Sequence, residues 1–272
     1  MSKLVWISDL HLDQVSADRR QSFYERLSRS PGEAVVLTGD LSNGKQLPIH
    51  LLQLAEACGD RPLYFVLGNH DFYFSSFVHV QRAVRSACAK RNNLHFLEDG
   101  SIVPLGDHEA LLGVGGWADG KAGNGFRSRV RNPDFWNIDD FQSKRWKSCY
   151  SFMSSLGENS ARYARSVLPY ALTCYRLVWF ATHVPPFTQS ATWNGKQCNY
   201  DFQPHYTNVS LGRVLWGLSS AFSSSVSVLA GHTHSEISLS LRPNLHVRTA
   251  GVSPGDPWYH LLSTKIDFSP CS

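Results

Sequence analysis

Five short clusters of carboxylate, imidazole and amide residues punctuate the 272-residue chain: Asp9-Leu10-His11, Gly39-Asp40, Gly68-Asn69-His70-Asp71, Thr182-His183 and Gly231-His232-Thr233-His234. Carboxylate oxygens, imidazole nitrogens and an amide oxygen, with no thiolate among them, suit hard-to-borderline divalent cations. That donor set points to Mn, Fe, Zn, Ni or Co and away from copper(I) or an iron-sulfur cluster. A carboxylate can bridge two such ions. Two cations roughly 3.5 to 4 Å apart lower the pKa of a water they share and hold phosphoryl oxygens during in-line displacement. Taken singly the clusters say little, because Gly39-Asp40 is an ordinary turn pair and a lone His183 reads as a structural histidine. Their order along the chain, each behind a strand-like run, carries the reading.

Residues so far apart need a scaffold that gathers them. The five clusters follow apolar runs at 4–7, 34–37, 63–67, 177–180 and 226–230, each of buried-strand length and composition. In open α/β sheets ligands sit beyond the carboxyl ends of the strands, so polar clusters at such ends can converge. Between the first runs, segments 16–29, 47–58 and 75–91 carry apolar residues at helical spacing, which predicts a β-α-β opening with the helical stripes as core. From residue 94 the texture changes to short strands. Segments 102–105 and 109–114 flank Gly106-Asp107, a hairpin signal, and 236–241, 245–249 and 258–266 repeat the pattern near the end, so a second sheet is expected.

The ordered set Asp-x-His, Gly-Asp, Gly-Asn-His-Asp, His and Gly-His-x-His, spanning residues 9 to 234, resembles the calcineurin-like metallophosphoesterase superfamily. The resemblance implies an α/β fold of two packed mixed β-sheets flanked by helices, a four-layer sandwich, and a single domain over residues 1–272. Carried over residue by residue, it implies one metal held by Asp9, His11, Asp40 and His234 and a second held by Asp40, Asn69, His183 and His232, with Asp40 as the bridge. A hydroxide shared by the two metals would attack phosphorus. His70 would stabilise the transferring phosphoryl group and protonate the leaving oxygen, a general-acid role suited to imidazole near neutral pH. One position departs from a common version of the pattern: Asn43 stands where many members carry an Asp directed at the catalytic His. An amide there orients imidazole but stabilises imidazolium less than a carboxylate does. The Asp-Arg-Gly continuation and the Asn-His-Glu of protein Ser/Thr phosphatases are absent, which argues against that branch.

Two intervals, about 117–153 and 185–207, break the alternation of strands and helices and are dense in aromatic and basic residues, including Arg127, Arg129, Arg131, Trp136, Trp146, Trp193, Phe202 and Tyr206. Long irregular stretches in a compact domain are usually functional, and aromatic content argues against disorder. Both are expected to wall the substrate cleft as cap-like insertions. In an extended segment Arg127, Arg129 and Arg131 would share one face and offer forked donors to phosphate, or else form a solvated face. Trp and Tyr beside Arg suit a nucleobase, so a phosphodiester or nucleotide is preferred over a monoester, and nucleic acid stays open as a partner. The net charge, 26 − 22 = +4, suits an anionic substrate without implying bulk nucleic-acid binding. The six cysteines, scattered without C-x-x-C spacing, read as free thiols. No stretch approaches a membrane span and the N-terminus enters a strand almost at once, so the expected location is cytoplasmic. The alternative is a binding scaffold that keeps the fold without catalysis. Such proteins lose ligands or the catalytic His, whereas here every expected position is filled.

Overall fold

The computed structural model describes residues 3–263 apart from Asn194 and Pro254. Its strands in chain order are β1 (Lys3–Ile7), β2 (Ala34–Thr38), β3 (Leu63–Val66), β4 (Leu94–Phe96), β5 (Val103–Pro104), β6 (Glu109–Gly113), β7 (Leu177–Ala181), β8 (Thr192–Trp193), β9 (Lys196–Gln197), β10 (Ser225–Ala230), β11 (Ile237–Arg242), β12 (Leu245–Thr249) and β13 (His260–Ser263). The helices are α1 (Ala17–Ser28), α2 (Leu47–Ala57), α3 (Phe77–Cys88), α4 (Asp134–Asn137), α5 (Asp139–Gln142), α6 (Trp146–Cys174), α7 (Gln203–Tyr206) and α8 (Val209–Ala221).

Two mixed sheets form the body. The first has the order β13-β1-β2-β3-β4 and the second β11-β12-β10-β7-β6-β5. Strands β1 to β4 run parallel, as do β12, β10, β7 and β6, while β13, β11 and β5 lie antiparallel along edges. The period-2 geometry of a strand sorts side chains into layers. On β1, Leu4 and Trp6 face the core between the sheets, while Val5 and Ile7 face the core that includes residues of α1, α2 and α3. On β7, Leu177, Trp179 and Ala181 face inward between the sheets, while Val178 and Phe180 pack with Leu168 and Leu172 of α6 and Leu211 and Leu215 of α8. Helix, sheet, sheet, helix is the layer order, and buried residues on both faces explain the near-continuous apolar runs of the central strands.

The expected helices at 16–29, 47–58 and 75–91 are α1, α2 and α3, and the 102–114 hairpin is β5 with β6. Three details differ from expectation. Strand β4 joins the first sheet, because its register continues β3 (Leu63 with Leu94). The last described strand, β13, returns to the first sheet beside β1, and residues 264–266 of the expected strand lie outside the described residues. The interval 117–153 is not irregular to its end: α6 begins at Trp146 and runs 29 residues. Among the described residues no helix is long and apolar enough to cross a membrane. Cys58, Cys88, Cys149, Cys174 and Cys198 are free, and Cys271 lies outside the described residues.

Candidate metal centre

Each cluster leaves the carboxyl end of a parallel strand. Asp9 and His11 follow β1, Asp40 follows β2, Asn69 and His70 follow β3, His183 follows β7, and His232 and His234 follow β10. The first three strands belong to one sheet and the last two to the other, so the site straddles the seam. The turns are strained. Asp9 (φ 50), His11 (φ 41), Asp40 (φ 53), His232 (φ 71) and His234 (φ 53) all adopt the left-handed region, where among described non-glycine residues only Phe74 joins them. Such conformations cost on the order of 1–3 kcal/mol each and persist where surrounding contacts over-determine them. Here the Asp9 N–H donates to the Gly39 carbonyl (3.0 Å) and the His11 N–H to the Asp40 carbonyl (3.0 Å). Two glycines of the motifs are required by close approach: a Cβ on Gly68 would run into Asp40 Oδ1, and one on Gly231 into Ser8 Oγ and Asp9 Oδ2.

The nominated ligands meet in two groups joined by Asp40. Donor atoms of Asp9, His11 and His234 lie within 4.8 Å of one another, as do those of Asp40, His183 and His232, and those of His11, Asp40 and His70. Asp40 turns one oxygen to each side, Oδ2 lying 3.9 Å from His11 Nε2 and Oδ1 3.4 Å from His183 Nε2. Asn69 Oδ1 sits 3.1 Å from His183 Nε2 and 3.0 Å from His232 Nδ1. On the other side His11 Nε2 and His234 Nε2 face each other at 3.2 Å, and His234 Nε2 is 3.4 Å from Asp9 Oδ1.

The surroundings test whether these groups fit cations. His183 donates from Nδ1 to the Thr38 carbonyl (2.8 Å) and His232 from Nε2 to the His205 carbonyl (3.0 Å), so each turns its other nitrogen toward the centre. Asn69 gives its amide N–H to Asp134 (2.8 Å), leaving its oxygen inward. Trp6 donates to Thr38 Oγ1 (3.0 Å), Thr38 to Ser8 Oγ (2.8 Å) and Ser8 to Asp9 Oδ2 (2.5 Å), a relay that fixes the Asp9 carboxylate. Oxygen and nitrogen donors turned inward and held from behind are what hard-to-borderline divalent ions require. The residues fit.

The electrostatics agree. Burial raises the pKa of Asp9, but its hydrogen bond with His234 and the charge of His183 outweigh that and leave it at about 2. Burial works against ionised Asp40 too, yet His183 and His70 hold it well below the ordinary carboxylate value. Burial disfavours a charged His183, but Asp40 beside it raises its pKa to about 10, whereas burial and then the charge of His183 push His232 down to about 3. The ionised Asp9 and Asp40 thus draw a proton onto His183, and a divalent cation would take that proton's place.

His70 and Asn43 behave differently from each other. The His70 ring lies edge-on to His11 (centroids 4.6 Å) and stacks on Tyr73 (4.1 Å). The amide of Asn43 is engaged elsewhere: it donates to Asp13 (3.1 Å) and accepts the N–H groups of Lys45 and Gln46 (3.1 Å each) just before α2. Asn43 therefore acts as a turn residue opening a helix, not as the partner of His70 that the motif led one to expect, and the ring packed on His70 is that of Tyr73. Asp71, the last residue of its motif, is buried and accepts from the N–H groups of Asp40, Gly68 and Ser42, clamping the turns after β2 and β3 together.

Sequence reasoning missed Asp134 and the part played by His205. Buried Asp134 accepts from both Asn69 and Tyr73 (2.8 and 2.9 Å), and its own N–H is capped by Asn132 Oδ1. The ring of His205 is held by Tyr150, Asn132 and Ser128 (2.9, 3.2 and 3.3 Å). Asn132-Pro133-Asp134 is a helix-start signal that offered one clue; a backbone carbonyl offers none. Residues of both intervals lie beside the site. A cleft of about 600 Å³ is lined by His70, Asn69 and His232 together with Arg129, Arg131, Phe202 and Tyr206. Arg127 does not line it; its guanidinium lies over Phe126.

The profile of the family described as calcineurin-like phosphoesterase matches residues 2–236. The chain belongs to that family. Metal-dependent hydrolysis of phosphoesters at a dinuclear centre is the family's chemistry, and the clusters around Asp40 supply His and Asp donors for such a centre. A dimetal phosphatase from Danio rerio has a similar fold, with a TM-score of 0.57 at 12% identity over 91% of this chain and 86% of that one. The TT1561 protein of Thermus thermophilus matches with a TM-score of 0.55 at 12% identity, over 91% of this chain and 88% of its own. Both have the two-sheet architecture in common with this calcineurin-like phosphoesterase. No curated protein matches the chain.

Proposed function

We propose that this chain is a single-domain, cytoplasmic phosphoesterase that cleaves phosphodiesters or nucleotides in preference to monoesters, with Asp40 shared between two metal sites. Asp9, His11, Asp40 and His234 would hold one ion, and Asp40, Asn69, His183 and His232 the other. The observation that carries the reading is the disposition of Asp40, whose two oxygens face opposite histidine groups. Two divalent cations there, from the Mn, Fe, Zn, Ni and Co set, would supply Lewis acidity toward a phosphoryl oxygen and acidify water at neutral pH.

The chain's own groups do the rest. His70, partly buried at the edge of the ligand cluster, donates a proton to the departing oxygen, its ring fixed by Tyr73. The strained turns keep the carboxylates and imidazoles in place, so little reorganisation is needed when charge develops on the phosphoryl group. Arg129 and Arg131 give the cleft two forked donors for an anionic substrate, and Phe202 and Tyr206 give it flat apolar surface for a ring. A cleft of about 600 Å³ is far larger than a phosphate needs, which supports a substrate with a second bulky arm.

The test is a panel of bis-p-nitrophenyl phosphate, p-nitrophenyl phosphate and cyclic nucleotides, assayed after chelation with Mn, Ni, Zn, Fe and Mg restored one at a time. Activity that returns with metal, greatest on diesters or nucleotides, is expected. A monoester favoured over the others overturns the substrate preference, and metal uptake without turnover on any substrate turns the reading to a binding scaffold.

A further inference from the structure

The insertion around α4 does more than wall the cleft. Its Asp134 is buried, and one oxygen, Oδ1, receives both the Asn69 amide N–H (2.8 Å) and the Tyr73 hydroxyl (2.9 Å). Asn69 is the group whose oxygen lies 3.1 and 3.0 Å from the ring nitrogens of His183 and His232, and Tyr73 is the ring on which His70 stacks. One carboxyl oxygen therefore stands behind a nominated metal ligand and behind the nominated general acid.

A side-chain amide has a donor end and an acceptor end of nearly the same shape, so an Asn at a metal site has two orientations of similar packing. Only one presents oxygen to a cation; the other presents hydrogens. An acceptor behind the amide breaks the tie, because a flipped Asn69 would set its oxygen against the Asp134 oxygen and lose the hydrogen bond. Asp134 is itself fixed, its N–H capped by Asn132 Oδ1, whose amide reaches the ring of His205 (3.2 Å). The carbonyl of His205 is the acceptor that sets the tautomer of His232.

We propose that Asp134 is a positioning residue that selects the metal-binding orientation of Asn69 and, through Tyr73, the placement of His70, so that the ion site of Asn69, His183 and His232 is completed by the insertion. The proposal rests on the metal-centre reading above. It assigns the two ion sites different dependences: among the described residues Asp134 bonds to Asn69, Tyr73 and Asn132, while Asp9 is backed by the relay through Ser8, Thr38 and Trp6.

The test is a titration of chelator-stripped protein with Mn²⁺, following the two binding steps by calorimetry and the paired-ion signal by EPR, on wild type, Asp134→Leu, Asp134→Asn and Tyr73→Phe. Leu keeps the branched outline, though with bulkier methyls, and removes the acceptor, and should weaken the second ion by about 10- to 100-fold while leaving the first at its wild-type affinity. Asn can flip together with Asn69 as a pair of amides, and should weaken the second ion at least about two-fold and less than Leu does. Tyr73→Phe should keep both ions at wild-type affinity and lower kcat with KM little changed. A general loss of fold would lower both steps together, so the asymmetry is the signature. Second-ion binding at the wild-type affinity in Asp134→Asn or Asp134→Leu overturns the proposal. Wild-type protein that takes up fewer than two ions overturns the metal-centre reading itself.

Discussion

Asp9, His11 and His234 are held by the body of the fold, whereas Asn69 and His232, across Asp40, lean on the insertions. Behind the first group stand Ser8, Thr38 and Trp6, residues of β1, its exit and β2 that any two-sheet scaffold of this kind must build anyway. Behind the second stand Asp134, from the interval after β6, and the His205 carbonyl, from the interval after β7. A ligand supported by a strand end inherits the rigidity of the sheet. One supported by an inserted segment depends on how that segment packs, which ties ion binding on that side to the shape of the cleft that the same segment lines. The two halves of the centre are therefore expected to respond separately to substitution.

The largest effect should come from the residue the halves share. Asp40→Asn is expected to weaken both ions and drop turnover below detection, measured as bound metal per chain and hydrolysis of bis-p-nitrophenyl phosphate; a variant with wild-type activity ends the bridging assignment. Next is His70→Ala, which should retain two ions while turnover falls by about 10² to 10⁴, most on substrates with poor leaving groups. Equal losses across a leaving-group series would remove His70 from proton donation. Ser8→Ala sharpens the comparison from the framework side. It should weaken the ion beside Asp9 by about 10- to 100-fold and spare the one beside Asn69, the mirror image of the pattern expected at Asp134; weakening of both ions alike would show that the halves are not independent.

The smallest effect concerns a framework support of the insertion-dependent half. Glu98 accepts from the N–H of Leu67 (3.3 Å), just before Gly68-Asn69, and from that of Gly115 (3.0 Å), whose carbonyl accepts from the His183 N–H. Burial pushes its pKa from an ordinary 4.5 up to about 7, against those two donors. A carboxyl whose folded-state pKa is raised adds stability that is fully present below about pH 4.5 and is lost as pH climbs through 7. Glu98→Gln, which keeps the acceptor, should flatten the fall in Tm between those two pH values; an unchanged slope would show that Glu98 does not titrate in that window.

The strand-end clusters could be read without coordinates because two independent signals coincide there. An apolar run marks a buried strand, and His, Asp or Asn at its end has no packing reason to be present. Nothing comparable marks the insertion. Residues 117–153 advertise aromatics, and those prove mainly to pack on one another: Phe77 and Phe141 approach Trp117 at 5.2 and 6.3 Å, and Phe135 stacks on Phe141 at 5.3 Å. Among them Asp134 looks like one more turn residue, since its burial depends on tertiary packing that no local pattern encodes. Asn43 shows the reverse error. Its place in the motif suggested a partner for His70, but an amide one turn before α2 finds nearer N–H groups to accept from, and local hydrogen bonding won. Helix α6 was hidden because its first two turns lie inside the aromatic interval and Pro169, which the helix accommodates, reads in sequence as a helix breaker.

Helix α6 also ties the first insertion to the second sheet. Its 29 residues span roughly 44 Å at 1.5 Å per residue. Cys149, Tyr150 and Met153 near its start are embedded with the insertion aromatics, and Ala164, Leu168 and Leu172 further on are embedded against the second sheet. A rod anchored at both ends cannot swing with one of them. Tyr150 on that rod donates to the ring of His205, whose carbonyl accepts from His232, so the seat of the rod against the second sheet sets where the cleft wall meets the centre.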